Sequence, residues 1–582
     1  MLQQRTMVPM ETPREGRFHL LPAQFLAGLG SIALVLAWLT PNHYLPWTGF
    51  HGDAVAFAAL CSFVFARALA PPPAPMGRAT PVCFGLVLLI TAQWVAGLIA
   101  YGGDALLSGL YIIGIGLAWW LGENTQHDND RADTLSWLAA LFVAGAVASI
   151  FVAMLQWLRM EQTLGIFATD RQPGTRPGGN LGQPNHLSLF CLMATVFAIW
   201  LYERAKLHRW QFVLLLLWFA FGLTLTESRA GLLGAAVVGL ALLLRRRDFK
   251  RTAAPLAVAF WWGALLLAFV LWPALNEALY LQGPRSGEFT QDSARLVMWR
   301  QCIAAIADAP WFGYGWRQTM FAQKQAAALV PGWLATDYAH NFMLDLILWV
   351  GVPLGTIFLL AGAWWIVRAW LRLADARQVI LAVACIPFLV HSLAEFPFAY
   401  AYFLFPVAWL LGALQALQLS PPPDQATSRA RRDSRPLVLG IATIFVGLGV
   451  AAAVEYLQAE EDYRVMRFEL RRVGKTPQGY ASPRLVLLTQ LDATLQLGRL
   501  VPYVGMPEQD IQRLGIASAR QGWATLDLSY AVALGLNGRP VEAARQLALL
   551  RSVYGEESSR QAFDFFREAR ESHPELNAVV LP

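Results

Sequence analysis

The sequence predicts an all-α, polytopic membrane protein of about thirteen transmembrane helices with a helical domain at its C-terminus. Three observations carry this reading. Of 582 residues, 56% are hydrophobic and 14% charged, against roughly 25% charged in an ordinary soluble chain. Apolar runs near 20 residues recur along most of the chain, each long enough to cross a hydrocarbon core of about 30 Å as a helix. The runs are continuously apolar, without the period-two alternation of a membrane barrel.

The spans follow in order. Arg5, Arg14 and Arg17 precede the first apolar run, and no clear small-residue cleavage site follows it, so it reads as a retained helix near 20–40 rather than a cleaved signal. By length and hydrophobicity the others lie near 53–70, 81–100, 105–122, 134–158, 186–203, 210–225, 228–245, 254–273, 341–367, 378–393, 399–419 and 436–455. The five cysteines have no knuckle or disulfide spacing and read as small apolar residues.

Charge sets the orientation. Alternate loops hold the cations: Arg67 and Arg78; Arg131; Arg204, Lys206 and Arg209; Arg245 to Arg247, Lys250 and Arg251; Arg368, Arg372 and Arg377; Arg429, Arg431, Arg432 and Arg435. The positive-inside rule makes these loops and the N-terminus cytoplasmic. It also accounts for the net charge of +6 without nucleic acid. An odd number of spans leaves the chain after about Glu455 in the periplasm of a Gram-negative-type inner membrane. The division is therefore a membrane domain over 1–455, with long periplasmic loops at 159–185 and 274–340, and a periplasmic helical domain over 456–582. In the latter, Tyr530–Tyr554 reads as a helical hairpin turning at Asn537–Pro540, either a cap or one tetratricopeptide-like unit.

The unusual polar residues collect on the periplasmic side. In Arg176–His186, glycines and prolines form a loop that lets backbone approach a ligand. Gln183, Asn185 and His186 end it at the mouth of a span. Asn185 and His186 either hold a sugar or phosphate at a helix N-terminus or act as a cap and a satisfied histidine. Arg229 is an ionisable residue at a span mouth, a functional candidate by position, with snorkelling as the bland reading. Pairing with Glu227 is excluded, because residues two apart on a helix do not face each other. Gln291–Arg300 forms an amphipathic helix with Arg295 and Trp299 on one face. It lies on the headgroups, and its Arg295 fork suits an anionic lipid headgroup. His340 and Asn341 open another span, where His340 is either a general base or a cap. Glu395, beyond His391, either orders the site by pairing with an arginine or takes part in chemistry. The histidines lack zinc spacing and no acidic cluster suits magnesium, so no metal is expected.

These residues resemble one family. The Pro-x-His-Tyr-x-Pro-Trp loop at 41–47, Gln93…Gly97…Tyr101-x-Gly103-Asp104, Leu155-Gln156-Trp157, Gly-x-Leu-Gly-Gln-Pro-Asn-His ending at His186, Ser228-Arg229-Ala230-Gly231, Arg295…Trp299, Gly313-x-Gly315-Trp316, His340-Asn341 and Glu395-x-Pro397 are similar to bacterial protein O-oligosaccharyltransferases of the pilin-glycosylating type. That family lies within the O-antigen ligase and polymerase superfamily. The resemblance covers most of the chain. It implies a GT-C-like membrane glycosyltransferase that needs no cofactor. The donor would be an oligosaccharide on undecaprenyl diphosphate and the acceptor a periplasmic protein such as pilin. By resemblance, His340 matches the superfamily's essential loop histidine, and Arg229 and Arg295 match its diphosphate-contacting arginines. Arg176, Gln183, Asn185, His186, Asn341 and Glu395 follow as contacts to the substrates or the loop.

The Gln-Pro-Asn-His segment and the C-terminal region distinguish this reading from an O-antigen ligase acting on lipid A core and from a glycan polymerase. A transporter would show matched broken helices at midplane, which the sequence does not suggest. The topology has a direct test. A reporter fused after Glu455 is expected to be active in the periplasm and one at Arg247 in the cytoplasm; the reverse pattern would overturn the assignment of the active face.

Overall fold

A computed structural model describes residues 20–70, 74–77, 79–124, 133–171, 175–281, 289–332, 335–419 and 433–582. Arg5, Arg14, Arg17, Arg78, Arg131, Arg429, Arg431 and Arg432 of the charge argument lie outside the described residues. Each expected span finds a helix. They are α1 (Leu20–Leu39), α2 (Phe50–Leu69), α3 (Ala79–Val95), α4 (Gly102–Asn124), α5 (Thr134–Trp157), α6 (Pro184–Glu203), α7 (Arg209–Thr226), α8 (Arg229–Leu244) and α9 (Ala254–Ala278). Two helices of the long loop follow, α10 (Phe289–Asp308) and α11 (Thr319–Ala326). Then come α12 (Phe342–Leu371), α13 (Ala376–Ser392), α14 (Ala401–Leu419) and α15 (Arg435–Leu470). Among the described residues, ten helices are long and apolar enough to cross a bilayer, and α3, α8 and α13 are shorter but apolar. The chain is thus a multi-pass, all-α membrane protein.

Burial sorts these helices. A helix apolar on all sides belongs inside a bundle or in lipid, and both cases occur. The α6 span is almost wholly buried, enclosed by α5, α7, α8 and α13, whereas the apolar stretches of α9 and α15 are mostly exposed. Aromatic rings fill the centre: Trp38 stands 4.6 Å from Phe142 and 4.7 Å from Phe190.

The cation-bearing ends gather at one end of the bundle. Arg67 donates to the carbonyls of Asn124 and Ala70, Arg435 to Ala70, Arg245 to Leu373 and Arg204 to Asp133. The N-termini of α2, α6, α8, α12 and α14 meet at the other end, with the long loops.

The break in α12 explains one motif. Gly351 has φ 82° and ψ 166°, a conformation open to glycine and strained for other residues. It frees carbonyls in the preceding turn, and the Gly313-x-Gly315-Trp316 segment satisfies them. Tyr314 N–H donates to Leu348 O at 2.7 Å and Gly315 N–H to Trp349 O at 3.2 Å, while Val352 N–H returns a bond to Pro310 O at 2.7 Å. A Cβ on Gly351 would stand 2.2 Å from Trp311 O. Gln93 of α3 locks the junction, donating to Trp349 O and accepting from Trp316 N–H.

The boundary drawn at 455 falls inside α15, a continuous 36-residue helix. Beyond it lie α16 (Thr489–Leu497), α17 (Glu508–Arg520), α18 (Ala524–Leu536) and α19 (Pro540–Ser572). The last two form the expected hairpin. Their turn holds Gly538 at φ 77°, and Leu514, Leu526, Leu547 and Phe566 lie in the domain's own core.

Candidate active site

The site grows from a turn. Pro397 opens a short 3-10 turn after α13, and the residue before a proline is steered away from helix. The chain leaves α13 at Ser392 and places Glu395 inward, with 1% of its side chain exposed. A carboxylate there must be fully partnered, because burying an unpaired charge is costly.

Four side chains from three parts of the chain meet it. Asn185 Nδ2, in the first turn of α6, donates to Glu395 Oε1 at 2.6 Å, and Gln183 Nε2 reaches Oε2 at 3.4 Å. Arg295 of α10 donates to Oε1 as an ion pair. His340 Nδ1 lies 3.2 Å from Oε2. Burial by itself raises the Glu395 pKa; the bond from His340 and the charge of Arg295 outweigh it and hold the carboxyl below its usual value.

The network extends one step further. Asn185 Oδ1 accepts from the Ser228 hydroxyl at 2.8 Å, and that same Oγ accepts from Gly231 N–H as the N-cap of α8. The chain at Arg229 is thereby fixed beside the carboxylate, and the Arg229 side chain is exposed.

His340 is held from both sides. Its φ is 51°, the left-handed region that costs a non-glycine residue about 1–3 kcal/mol. The preceding residue resists relaxation: Ala339 C=O accepts from Trp299 Nε1 at 2.9 Å, and Ala339 N–H donates to Asp345 Oδ1 at 2.9 Å. Asn341 then caps α12, accepting from Met343 and Leu344 N–H and donating to Leu393 O. The imidazole stands edge-on to Phe396 at 4.5 Å, and Phe396 stacks between Tyr338 and Tyr400.

This geometry defines a tautomer. A carboxylate only accepts, so Nδ1 of His340 carries the proton toward Glu395, which leaves Nε2 as an acceptor. The His340 side chain is 19% exposed and Arg295 35%, so both reach the solvent side of a buried anion. The arrangement offers a base, a guanidinium and a fixed carboxylate within one small volume.

Other expected residues sit elsewhere. Arg176 donates to the carbonyls of Thr226 and Glu227 and so closes the C-terminus of α7. His186 is 1% exposed, its ring 4.4 Å from Tyr400 and packed against Phe403; it backs the aromatic stack and does not bond Glu395. Asn185 is not a cap, because Gln183 holds that position and Asn185 spends its amide on Glu395 and Ser228. Glu227 accepts from Trp272 at 2.9 Å.

Comparison with known proteins follows the same residues. The O-antigen ligase family profile matches residues 213–359, and that of the virulence factor membrane-bound polymerase C-terminal region matches residues 379–566. Two proteins of Acinetobacter baylyi are similar. A general O-oligosaccharyltransferase is 27% identical over 564 residues, covering 92% of this chain and 93% of that one. A ComP-specific O-oligosaccharyltransferase is 27% identical over 380 residues, covering 64% and 67%. The chain thus resembles the O-antigen ligase family over residues 213–359 and an O-oligosaccharyltransferase along most of its length.

In this chain, sequence reasoning quoted Ser228 only within a motif and passed over Asp345, Tyr338 and Phe396 as parts of the site. Asp345 carried a usable signal, an acid in the apolar run after Phe342. The two aromatic residues carried none, since the chain has 33 Phe and 15 Tyr. The hub itself is testable. Because the folded pKa of Glu395 is depressed, its contribution to stability is complete above the unfolded carboxylate range near ~4.3 and is lost as pH falls through the lower folded value. Thermal midpoints of wild type and Glu395→Gln in detergent are expected to differ clearly at pH 7 and to converge only once the pH has fallen below the depressed folded value. An equal difference at both ends would remove the charged hub.

Proposed function

We propose that the Glu395 cage is the catalytic centre of a protein O-oligosaccharyltransferase, which moves a glycan from an undecaprenyl-diphosphate carrier to Ser or Thr hydroxyls of a periplasmic, pilin-like acceptor. The observation that carries the reading is His340 Nδ1 on Glu395 Oε2, with Arg295 on the other oxygen. The general and ComP-specific O-oligosaccharyltransferases similar to this chain support protein acceptors.

The chemistry follows from the parts. A lipid diphosphate is a good leaving group and needs charge stabilisation more than protonation. Arg229 and Arg295 supply it, and loss of one such contact costs on the order of a hundredfold in rate. An acceptor hydroxyl is a poor nucleophile at neutral pH. Nε2 of His340 accepts its proton while Glu395 stabilises the imidazolium that forms. The hydroxyl oxygen bonds the anomeric carbon as the bond to diphosphate breaks, so one displacement inverts that carbon. Glu395 serves as an orienting anion; with both oxygens already bonded, it is poorly placed to attack carbon. Arg176, Gln183, Asn185, His186 and Asn341 enter as residues that shape the loop and the cage around the substrates.

The orientation belongs to this reading. The segregation of cations at the far end of the bundle supports an inner-membrane protein with a cytoplasmic N-terminus and a periplasmic active face and C-terminal domain.

The test is co-expression with a defined lipid-linked glycan and candidate acceptors, followed by intact mass of pilin and of lipid A. Wild type is expected to add an alkali-labile glycan to the protein. His340→Ala is expected to abolish transfer with expression intact. Arg229→Ala and Arg295→Ala are expected to weaken it, with lysine restoring only part, because an ammonium lacks the bidentate fork. Transfer is expected to survive chelator. Modification of lipid A core and never of a protein would replace this reading with an O-antigen ligase.

A further inference from the structure

We infer that the C-terminal domain is a positioning part of the active site, acting through α11 on the strained turn at His340. The inference rests on the proposed reaction, and it concerns residues far from Glu395 in sequence.

The helix α11 lies between two sets of contacts. On one side it holds the histidine turn. Thr319 donates to the same Asp345 oxygen that receives Ala339 N–H, at 2.7 Å, and itself accepts from Trp349 Nε1. Gln323 Oε1 accepts from Thr336 N–H at 3.2 Å. Just before the helix, Arg317 sits over the Tyr338 ring at 5.7 Å, and its own φ of 60° is a second strained position.

On the other side the C-terminal domain grips the same short helix. Lys324 and Asp527 of α18 form an ion pair at 2.7 Å with each side chain 2% exposed. The ammonium also donates to the carbonyls of Ser518 and Gln521 at 2.6 and 2.7 Å. Asp527 in turn accepts from Ser518, Gln546 and Tyr554. A buried pair so fully bonded fixes geometry, because removing one partner strands the other charge. Arg520, the last residue of α17, donates to Leu98 O at 2.9 Å and to Gln318, and its guanidinium lies 3.9 Å from the centre of the Phe321 ring.

The consequence is mechanical. A left-handed histidine persists only while its surroundings over-determine it. One of the clamps on Ala339 is Asp345, and Asp345 is shared with Thr319. Loosening α11 therefore lets the His340 turn relax and moves Nε2 away from the acceptor oxygen. Misplacement of about 1 Å costs on the order of a hundredfold in rate even when the change lies far from the chemistry.

The test uses the full-length enzyme in detergent with lipid-linked glycan and a pilin acceptor. Arg520→Met keeps an apolar stem over Phe321 and removes the bonds to Leu98 and Gln318; Arg520→Lys keeps a charge. Arg520→Met is expected to lower kcat about 10- to 100-fold with KM for the lipid donor within about twofold. Faster amide exchange confined to residues 335–341 is expected alongside, with partial recovery of both in Arg520→Lys. Asp527→Asn is expected to act in the same direction. Unchanged kcat and exchange in both variants would overturn the inference. So would a raised KM for the acceptor at constant kcat, which would make the domain an acceptor-docking module. If wild type transferred glycan to no protein, the proposed function would fail, while the exchange measurement would still report whether α17 and α18 control the His340 turn.

Discussion

The carboxylate of Glu395 is the constraint on which the site depends. It lies at the end of a helix bundle with almost no access to water, and an anion there survives only if donors surround it. Asn185, Gln183, Arg295 and His340 are those donors. They come from separate parts of the chain: the end of the glycine-rich loop and the first turn of α6, the loop helix α10, and the left-handed turn before α12. One buried charge thus draws the loop regions of the chain to a single point, and His340 and Arg295 in turn hold its pKa below the usual carboxylate value.

The supporting structure makes this junction rigid at modest cost. The interruption of α12 at Gly351 opens carbonyls that the Gly313–Trp316 segment occupies, so the long loop is tied into the membrane domain rather than draped over it. Trp299 and Asp345 then fix the backbone at Ala339, which holds His340 in a conformation it would not choose alone. Strain at that position is compatible with its role. The ring is aimed by Glu395 on one nitrogen, and the other is the one the proposed mechanism gives to the acceptor hydroxyl.

Much of this was legible in the sequence, for identifiable reasons. The spans follow from length and hydrophobicity, since a lipid-facing backbone leaves few options besides a helix. The four-residue spacing of Arg295 and Trp299 put them on one helical face, and both are used toward the same centre, on Glu395 and on Ala339. Pairing with an arginine was one of two readings of Glu395, and Arg295 does pair with it. The rest depended on long-range geometry. Nothing local distinguishes Asn185, which turns its amide to Glu395, from a helix cap, or His186, sealed behind Tyr400, from a ligand. Arg176, expected as a contact to the glycan or the loop, donates to the carbonyls that end α7. Thr319, Lys324 and Asp527 acquire meaning only when the C-terminal domain is seen against α11.

The central claim is that a histidine base and arginine-stabilised leaving group carry out one displacement, with Glu395 orienting rather than attacking. The anomeric configuration of the newly attached sugar tests this most directly. Purified enzyme is supplied with a lipid-linked glycan of known configuration, and the glycosylated acceptor peptide is read by the anomeric one-bond carbon–proton coupling in nuclear magnetic resonance. Inversion at the transferred carbon is predicted. Retention would require a covalent glycosyl intermediate, contradict the single displacement and return Glu395 to consideration as a nucleophile.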